Sequence, residues 1–128
     1  MSDPRHDLGR AAEAAVARWL ASHRWTVLAR RLRMPHGGEV DIVARDPDGV
    51  LVAVEVRARR TARTGTADVT VDERKVRRLR RTLAAFARSD AGRDGLRVDL
   101  VTVVPDPAGG PNGTTGWTAR RIPGIDAW

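Results

Sequence analysis

Apolar residues recur at helical spacing in two parts of the chain. Over about residues 7–22 they form one stripe at intervals of three and four residues, which predicts an amphipathic helix. Further on, "TVDE" has the pattern of a capping box, with Thr70 as N-cap and Glu73 three residues later, and predicts a helix that runs to about Ser89. The two stripes comprise Leu8, Ala12, Ala15, Val16, Trp19 and Leu20, and Val76, Leu79, Leu83 and Phe86.

Between and after these helices the pattern is that of strands. Residues 24–33 have strand character, with Trp25, Val27 and Ala29 on one face. The element order α-β-β-β-α-β predicts a single α/β domain over residues 1–128, with a mixed central β-sheet flanked by helices. The remaining predicted strands are 39–45, 50–59, 96–105 and a short one at 117–122; the links are a turn at 34–38, a loop at 60–69 and a Pro/Gly-rich segment at 105–116 that we expect to be mobile.

The strands over 39–45 and 50–59 are joined by a turn whose register can be derived. Pro47-Asp48-Gly49 suits a three-residue loop, a type I turn followed by glycine in the left-handed conformation. Asp46 then pairs with Val50, and the remaining pairs follow by counting back. One face of this hairpin is apolar and predicts a core, with Val40, Ile42 and Ala44 against Val52, Val54, Val56 and Ala58.

The opposite face of the hairpin carries acids. The same register places Asp41 opposite Glu55, and Glu39 opposite Arg57. Facing side chains lie about 4.5–5.5 Å apart at Cβ, where like charges destabilise a sheet. One carboxyl can retain a proton with a raised pKa, both can pair with arginines on a solvated face, or a divalent cation can bind both. Since Mg²⁺ and Mn²⁺ take oxygen ligands, the pair is a candidate metal site.

Composition indicates an anionic partner. The chain has no cysteine, a formal net charge of +7 and a pI of about 11.5, which favours nucleic acid over a merely basic surface. Of its 23 basic residues only Lys75 is lysine, a bias that a GC-rich genome would produce. The polar N-terminus predicts no signal peptide, and no apolar run approaches the roughly 20 residues of a membrane span, so we expect a cytoplasmic protein.

Arginines cluster on the second predicted helix and before it. They are expected to contact phosphates, with a solvated helix face as the alternative. Aromatic residues make up only 4% of the chain, so the sequence shows no base-stacking platform for single strands, and recognition of a duplex or branched backbone is favoured. We expect the nucleic acid to be DNA rather than RNA. The candidate nucleic-acid-binding residues are Arg59, Arg60, Arg63, Arg74, Lys75 and Arg78.

Six segments resemble one protein family. They are "GRAAEAAVARWL" (9–20), "GGEVDIVARD" (37–46), "VAVEVRARR" (52–60), "VTVDERKVRRLRRTLAAF" (69–86), "RVDLVTV" (97–103) and "RRIPGIDAW" (120–128). In this order they resemble the YraN-like family of small bacterial proteins, within the PD-(D/E)XK nuclease superfamily. The resemblance implies a restriction-endonuclease-like core, similar also to Holliday-junction resolvases, and it is compatible with a homodimer.

The resemblance also implies roles for individual residues. Asp41 and Glu55 match the metal-binding carboxylates, Glu13 matches an acid that the first helix contributes, and Lys75 matches a basic residue of the second long helix. The implied cofactor is Mg²⁺ or Mn²⁺, which would activate a water molecule for attack on a phosphodiester. The implied activity is that of a DNA endonuclease.

The chain departs from the superfamily pattern at Arg57, where lysine is usual. Arginine cannot lose its proton, but it can stabilise a phosphorane by hydrogen bonding. Three interpretations stay open: Arg57 substitutes electrostatically as a catalytic residue, it marks a site that binds without cleaving, or it pairs with Glu39. A nuclease and a non-catalytic nucleic-acid-binding module are therefore both compatible with the sequence, and a protein-interaction factor with a basic face is a third hypothesis.

Overall fold

The computed structural model describes residues 4–35, 38–59, 72–88, 95–106 and 116–127. Within these ranges the chain forms two helices and five strands. No described helix has the length and apolar character needed to cross a membrane. The elements are α1 (Pro4–Ser22), β1 (Thr26–Arg33), β2 (Glu39–Arg45), β3 (Leu51–Ala58), α2 (Glu73–Ala87), β4 (Leu96–Pro105) and β5 (Trp117–Ile122).

The strands form one sheet in the order β1-β2-β3-β4-β5. All neighbouring pairs are antiparallel except β3 and β4, which are parallel. Parallel strands need a connection that returns along the sheet, and α2 lies in that connection. The mixed sheet with its helices confirms the predicted α/β class and element order, including the short last strand.

Both faces of the sheet are buried, each under one helix. α1 covers one face with Ala12, Val16 and Leu20, and α2 covers the other with Leu79 and Leu83. Strand residues that alternate in sequence divide between the two cores, as expected for an α/β protein. The α1 core includes Ile42, Ala44, Val52, Val54, Val101 and Val103; the α2 core includes Val43, Leu51, Ala53 and Val98.

The derived hairpin register is confirmed in the paired part of β2 and β3. Arg45 lies opposite Leu51 and Val43 lies opposite Ala53. The turn also has the expected form, because the Asp46 amide donates to the Val50 carbonyl at 2.9 Å. Gly49 has a φ of 89°, the left-handed conformation that the turn requires of it.

Two predicted face assignments are wrong. The β1–β2 register shifts between Val27 and Ala29, so Ala29 packs against the α2 core while Val27 packs against the α1 core. Val40 likewise belongs to the α2 core and not beside Ile42. Between the β1 residues that pair with Ile42 and Val40, Arg31 has a φ of 49°, so β1 leaves the strict alternation of a strand there.

The start of α2 also differs from the prediction. The helix begins at Glu73, and Asp72 is its N-cap, with extended backbone angles and a carboxylate that accepts the Arg74 amide at 2.9 Å. The capping-box assignment to Thr70 is therefore wrong, because Asp72 is an equally good cap two residues later and holds the first turn directly. Thr70, the whole 60–69 loop and residues 107–115 of the Pro/Gly-rich segment lie outside the described residues.

A network of ion pairs and hydrogen bonds surrounds Asp99 of β4. Asp99 is fully buried and accepts hydrogen bonds from Arg97, Arg121 and the Gly124 amide. Both guanidinium groups lie over the ring of Trp25, at 5.9 and 5.3 Å from its centroid. These two arginines therefore stabilise the fold through cation–π and ionic contacts.

Candidate functional site

A cleft of about 400 Å³ lies between the open end of the β2–β3 hairpin and the first turns of α2. It is the place where the apolar α2 core gives way to charged side chains. The hairpin supplies acids and the helix supplies bases, so opposite charges meet across the cleft. Its lining residues are Glu39, Asp41, Glu55, Lys75, Arg78, Leu79 and Thr82.

Asp41 lies where the backbone pairing of the hairpin stops. Paired residues run from Arg45–Leu51 to Ile42–Val54. Just beyond, Oδ2 of Asp41 accepts the amide of Val56 at 2.9 Å, so a side chain continues the contact between the strands. This bond orients the Asp41 carboxyl toward Glu55, whose side chain projects from the neighbouring strand.

The pKa values of the two carboxyl groups are shifted in opposite directions. Burial, and then the hydrogen bond and negative charge of Glu55, raise the pKa of Asp41 to about 8. The pKa of Glu55 is lowered: burial alone would raise it, but the hydrogen bond from Asp41 and the ammonium of Lys75 outweigh burial. Near neutral pH, protonated Asp41 therefore donates to ionised Glu55, as expected when two acids are forced together.

Lys75 completes this arrangement from α2. Its Nζ lies 2.6 Å from Oε2 of Glu55, and the Glu55 side chain is only 6% exposed, whereas that of Lys75 is 45% exposed. The contact is thus a close, charge-assisted ion pair at the mouth of the cleft.

Glu13 approaches Asp41 from the α1 side but is engaged elsewhere. Its Oε1 lies 3.4 Å from Nε of both Arg30 and Arg31, and the residue is buried. A smaller cavity of about 220 Å³ is lined by Glu13, Arg31 and Asp41, together with Arg10 and Glu39. Within the described ranges, no three Asp, Glu, His or Cys side chains are grouped so that they could hold a metal ion. The predicted trio of Glu13, Asp41 and Glu55 is therefore not a preformed three-ligand site.

Glu39 and Arg57 do not form the pair that the extended register suggests. Glu39 faces Arg33 of β1, with Oε1 3.8 Å from Nε, and the β2–β3 pairing ends before it. The charge of Arg57 helps to lower the pKa of Glu55, after the larger effects of Asp41 and Lys75. Neither of the two cavities beside Asp41 is lined by Arg57.

The predicted nucleic-acid-binding residues divide into three groups. Lys75 and Arg78 line the cleft, and Arg74 is exposed near them in the first turn of α2. Arg59 follows β3, where its amide donates to the Val103 carbonyl. Arg60 and Arg63 lie outside the described residues.

Two basic side chains of the smaller cavity were not predicted from the sequence. Arg10 and Arg31 join the second cavity through α1 packing and a strand irregularity, and neither carries a recognisable local signal. The contact between Lys75 and Glu55 did have a signal, since Lys75 is the one lysine of an arginine-rich chain.

Comparison with known proteins matches residues 12–103 to the model of the uncharacterised protein family UPF0102. A UPF0102 protein of Deinococcus radiodurans is 41% identical over 97 residues, which are 74% of this chain and 78% of the relative. One from Symbiobacterium thermophilum is 40% identical over 103 residues, 80% and 86% of the two chains. One from Corynebacterium efficiens is 33% identical over 126 residues, 98% and 97% of the two chains.

Proposed function

The chain belongs to the uncharacterised protein family UPF0102, and we propose that it is a metal-dependent nuclease that hydrolyses DNA phosphodiester bonds at the Asp41–Glu55 pair. The observation that carries the proposal is the meeting of two adjacent carboxyl groups, Asp41 and Glu55, in a cleft that basic side chains of α2 also line. A sheet gains no stability from facing acids. A strongly perturbed pKa in a cleft is instead typical of functional sites.

The donor set suits Mg²⁺ or Mn²⁺. Such ions take oxygen ligands and, in phosphate-processing sites, use one or two protein carboxylates completed by waters and substrate phosphate. Asp41 and Glu55, which line the same cleft, would supply those carboxylates. Glu13, which is held by two arginines, would remain outside the ligand set.

The charge around the pair suits a phosphodiester. Lys75 and Arg78 line one cavity beside Asp41, and Arg10 and Arg31 line the other. A backbone lying across the end of the hairpin would therefore meet cations on both sides of the acids. Phosphate contacts of this kind supply affinity without reading sequence.

The reaction that fits is hydrolysis. A bound Mg²⁺ or Mn²⁺ would lower the pKa of a water molecule and neutralise charge on the phosphate. The water oxygen forms a bond to phosphorus, one ester P–O bond breaks, the water proton passes to solvent, and the leaving oxygen gains a proton. Membership of the PD-(D/E)XK superfamily, which the sequence resembles, would place the site at the same two acids.

A cleavage assay with matched variants tests the proposal. Labelled four-way-junction, flapped, single-stranded and plain duplex DNA are incubated with Mg²⁺ or Mn²⁺ and the native protein, Asp41→Asn or Asp41→Ala. Asparagine can still accept the Val56 amide and donate to Glu55, so we expect Asp41→Asn to fold with near-native stability and yet to lose cleavage. Asp41→Ala also loses the Val56 bond, at a cost of about 1 kcal/mol in unfolding free energy.

Calorimetric titration with Mn²⁺ gives a second readout. The native protein should bind the ion, and Asp41→Asn should bind it at least about 10-fold more weakly, because a carboxylate ligand becomes a neutral amide. Undiminished cleavage by Asp41→Asn would contradict the proposal.

A non-catalytic nucleic-acid-binding module is the second candidate. It is favoured by the ion pair with Lys75 and the hydrogen bond between Asp41 and Glu55, which together satisfy the two acids without a metal ion. Salt-sensitive DNA binding with no cleavage of any substrate, and no Mn²⁺ binding, would support this candidate instead.

A further inference from the structure

We propose that Lys75, and not Arg57, is the catalytic cation of this site, binding the attacking water and a phosphate oxygen with its ammonium group. The inference rests on the proposed nuclease function and deepens it. The superfamily that the chain resembles usually has its lysine at the position of Arg57. Here the one lysine of the chain reaches the acids from the opposite element, α2.

Composition is the first argument for Lys75. Every other basic residue of the chain is arginine, so arginine serves wherever a positive charge alone is sufficient. The exception is Lys75, whose Nζ lies 2.6 Å from Oε2 of the buried Glu55, inside the cleft that Asp41 also lines. An ammonium is a compact point charge with three freely rotating donors, whereas a guanidinium is a wide planar fork. The retained lysine therefore indicates a position where shape matters as well as charge.

The packing of α2 is the second argument. Lys75 lies in the first turn of the helix, and Leu79, one turn later, lines the cleft and is buried against the sheet. Residues four apart on a helix share a face, so the burial of Leu79 turns Lys75 toward the hairpin. Reactive groups carried by packed helices are held more accurately than those on loops.

Arg57 is less well placed. It follows Glu55 by two residues on β3, so its side chain leaves the same face of the sheet, but it lines neither cavity beside Asp41. Its charge acts on Glu55 more weakly than that of Lys75 does. Lys75 is therefore the cation that both lines the cleft and contacts Glu55.

The exposure of the two partners suggests how Lys75 works. The Glu55 side chain is buried and that of Lys75 is almost half exposed, so the ammonium stands between the acid and the solvent from which a phosphodiester arrives. Its three hydrogens can be divided among Glu55, a water molecule and a phosphate oxygen. In the hydrolysis described above, Lys75 donates hydrogen bonds to the water and to the charged phosphate and keeps its own proton throughout.

The test compares Lys75→Arg, Lys75→Ala, Arg57→Lys and Arg57→Ala with the native protein on the DNA that the native protein cleaves best. We expect Lys75→Arg to lower the cleavage rate at least about 100-fold, the usual effect of removing one preorganised donor. Its melting temperature and its affinity for the same DNA in EDTA should stay native, because the charge is kept. Arg57→Ala should lower the cleavage rate less than Lys75→Ala does, and Arg57→Lys should bring no gain in cleavage, because Lys75 supplies the catalytic cation.

Mn²⁺ titration adds a readout that does not depend on cleavage. Lys75 competes with a bound cation for Glu55, so Lys75→Ala should bind Mn²⁺ more tightly than the native protein while cleaving DNA more slowly. A residue that only stabilised the fold would not move these two quantities in opposite directions. Should Lys75→Arg fail to fold, Lys75→Gln, which is neutral and close to lysine in length, replaces it with the same expected loss.

The outcomes separate the two proposals. Native protein that cleaves no substrate overturns the proposed function. Cleavage by the native protein together with near-native cleavage by Lys75→Arg leaves the nuclease intact and overturns the role of Lys75. A large gain from Arg57→Lys would likewise overturn it and return the catalytic position to residue 57.

Discussion

Buried carboxyl groups in this protein have two kinds of neighbour. Asp46 and Asp99 are matched by arginines and backbone amides, whereas Asp41 is matched by a second acid. The difference appears in opposite pKa shifts, since the pKa of Asp46 is lowered and that of Asp41 is raised. The acids that are paired with arginines stabilise the fold, whereas among the described residues the Asp41–Glu55 pair is the arrangement whose electrostatic conflict suggests a ligand.

Asp46 provides a test of this distinction through pH. Burial alone would raise its pKa, but the amide of Val50, the guanidinium of Arg97 and the amide of Asp48 lower it. A carboxylate with a lowered native pKa stabilises the fold above about pH 4, and this stabilisation is lost as the pH falls through the native pKa. We expect Asp46→Asn to lower the free energy of unfolding by about 1–3 kcal/mol at pH 7 and by clearly less at pH 3.

Urea unfolding of the native protein and the variant at both pH values measures this. Asp48→Asn is the matched control, because Asp48 lies in the same turn with an exposed side chain and should unfold like the native protein at either pH. An equal loss for Asp46→Asn at pH 3 and pH 7 would show that the ionised form of Asp46 contributes nothing.

At the scale of elements, α2 connects fold and site. One side of the helix packs Val76, Leu79 and Leu83 onto the sheet, and its first turn presents Lys75 to Glu55. Asp72 closes that first turn as the N-cap. The position of the ammonium therefore depends on a capping residue that lines neither cavity beside Asp41.

Removing the cap should affect cleavage more than stability. We expect Asp72→Ala to lower the free energy of unfolding by about 1 kcal/mol, the usual cost of losing an N-cap. Fraying of the first turn would displace Lys75, so cleavage should fall about 10-fold. Asp72→Ser keeps a capping oxygen while removing the negative charge, so it should cleave like the native protein. If Asp72→Ala and Asp72→Ser cleave DNA equally fast, the cap does not position Lys75. Thermal unfolding of both variants, measured alongside the cleavage assay, gives the accompanying change in stability.

The sequence predicted the secondary-structure elements and the hairpin register better than it predicted the packing between elements. The turn at 47–49 has strict backbone requirements, so it determined the hairpin register and with it the meeting of Asp41 and Glu55. The strand irregularities near Ala29 and Arg31 could not be foreseen, because they arise from packing between β1 and its neighbours. The approach of Lys75 to Glu55 depends on how α2 crosses the sheet, which local spacing does not specify.

Across the whole molecule, the arginine side chains differ in their surroundings. Arg97 and Arg121, which lie over the ring of Trp25, form ion pairs with the buried Asp99, whereas the arginines on the outer side of α2 are exposed to solvent. A net charge of +7 attracts polyanions from every side, but only cations near the cleft would hold a backbone in a productive position. Salt dependence separates these two contributions, since each phosphate contact releases counterions.

We expect DNA affinity to fall steeply as salt concentration rises. Arg78 lines the cleft, so Arg78→Ala should reduce the slope of log affinity against log salt by about one phosphate contact. Arg88 follows the opposite end of α2, about 15 Å along the helix from Arg78 at 1.5 Å per residue. Arg88→Ala should leave the slope native although it removes the same charge. Equal slopes for the two variants, measured by fluorescence anisotropy, would mean that binding follows net charge alone.

The crossover between β3 and β4 has a consequence for the order in which the protein folds. A β-hairpin closes in microseconds, whereas parallel pairing across a long connection is slower. We therefore expect the β2–β3 hairpin to bring Asp41 and Glu55 together before α2 docks, while both acids are still in water and repel each other. On this order the ammonium of Lys75 reaches them only in the later step, so a chain still emerging from the ribosome at β3 would contain the acids of the cleft without their cation. Assembly of the site is thus coupled to completion of the fold.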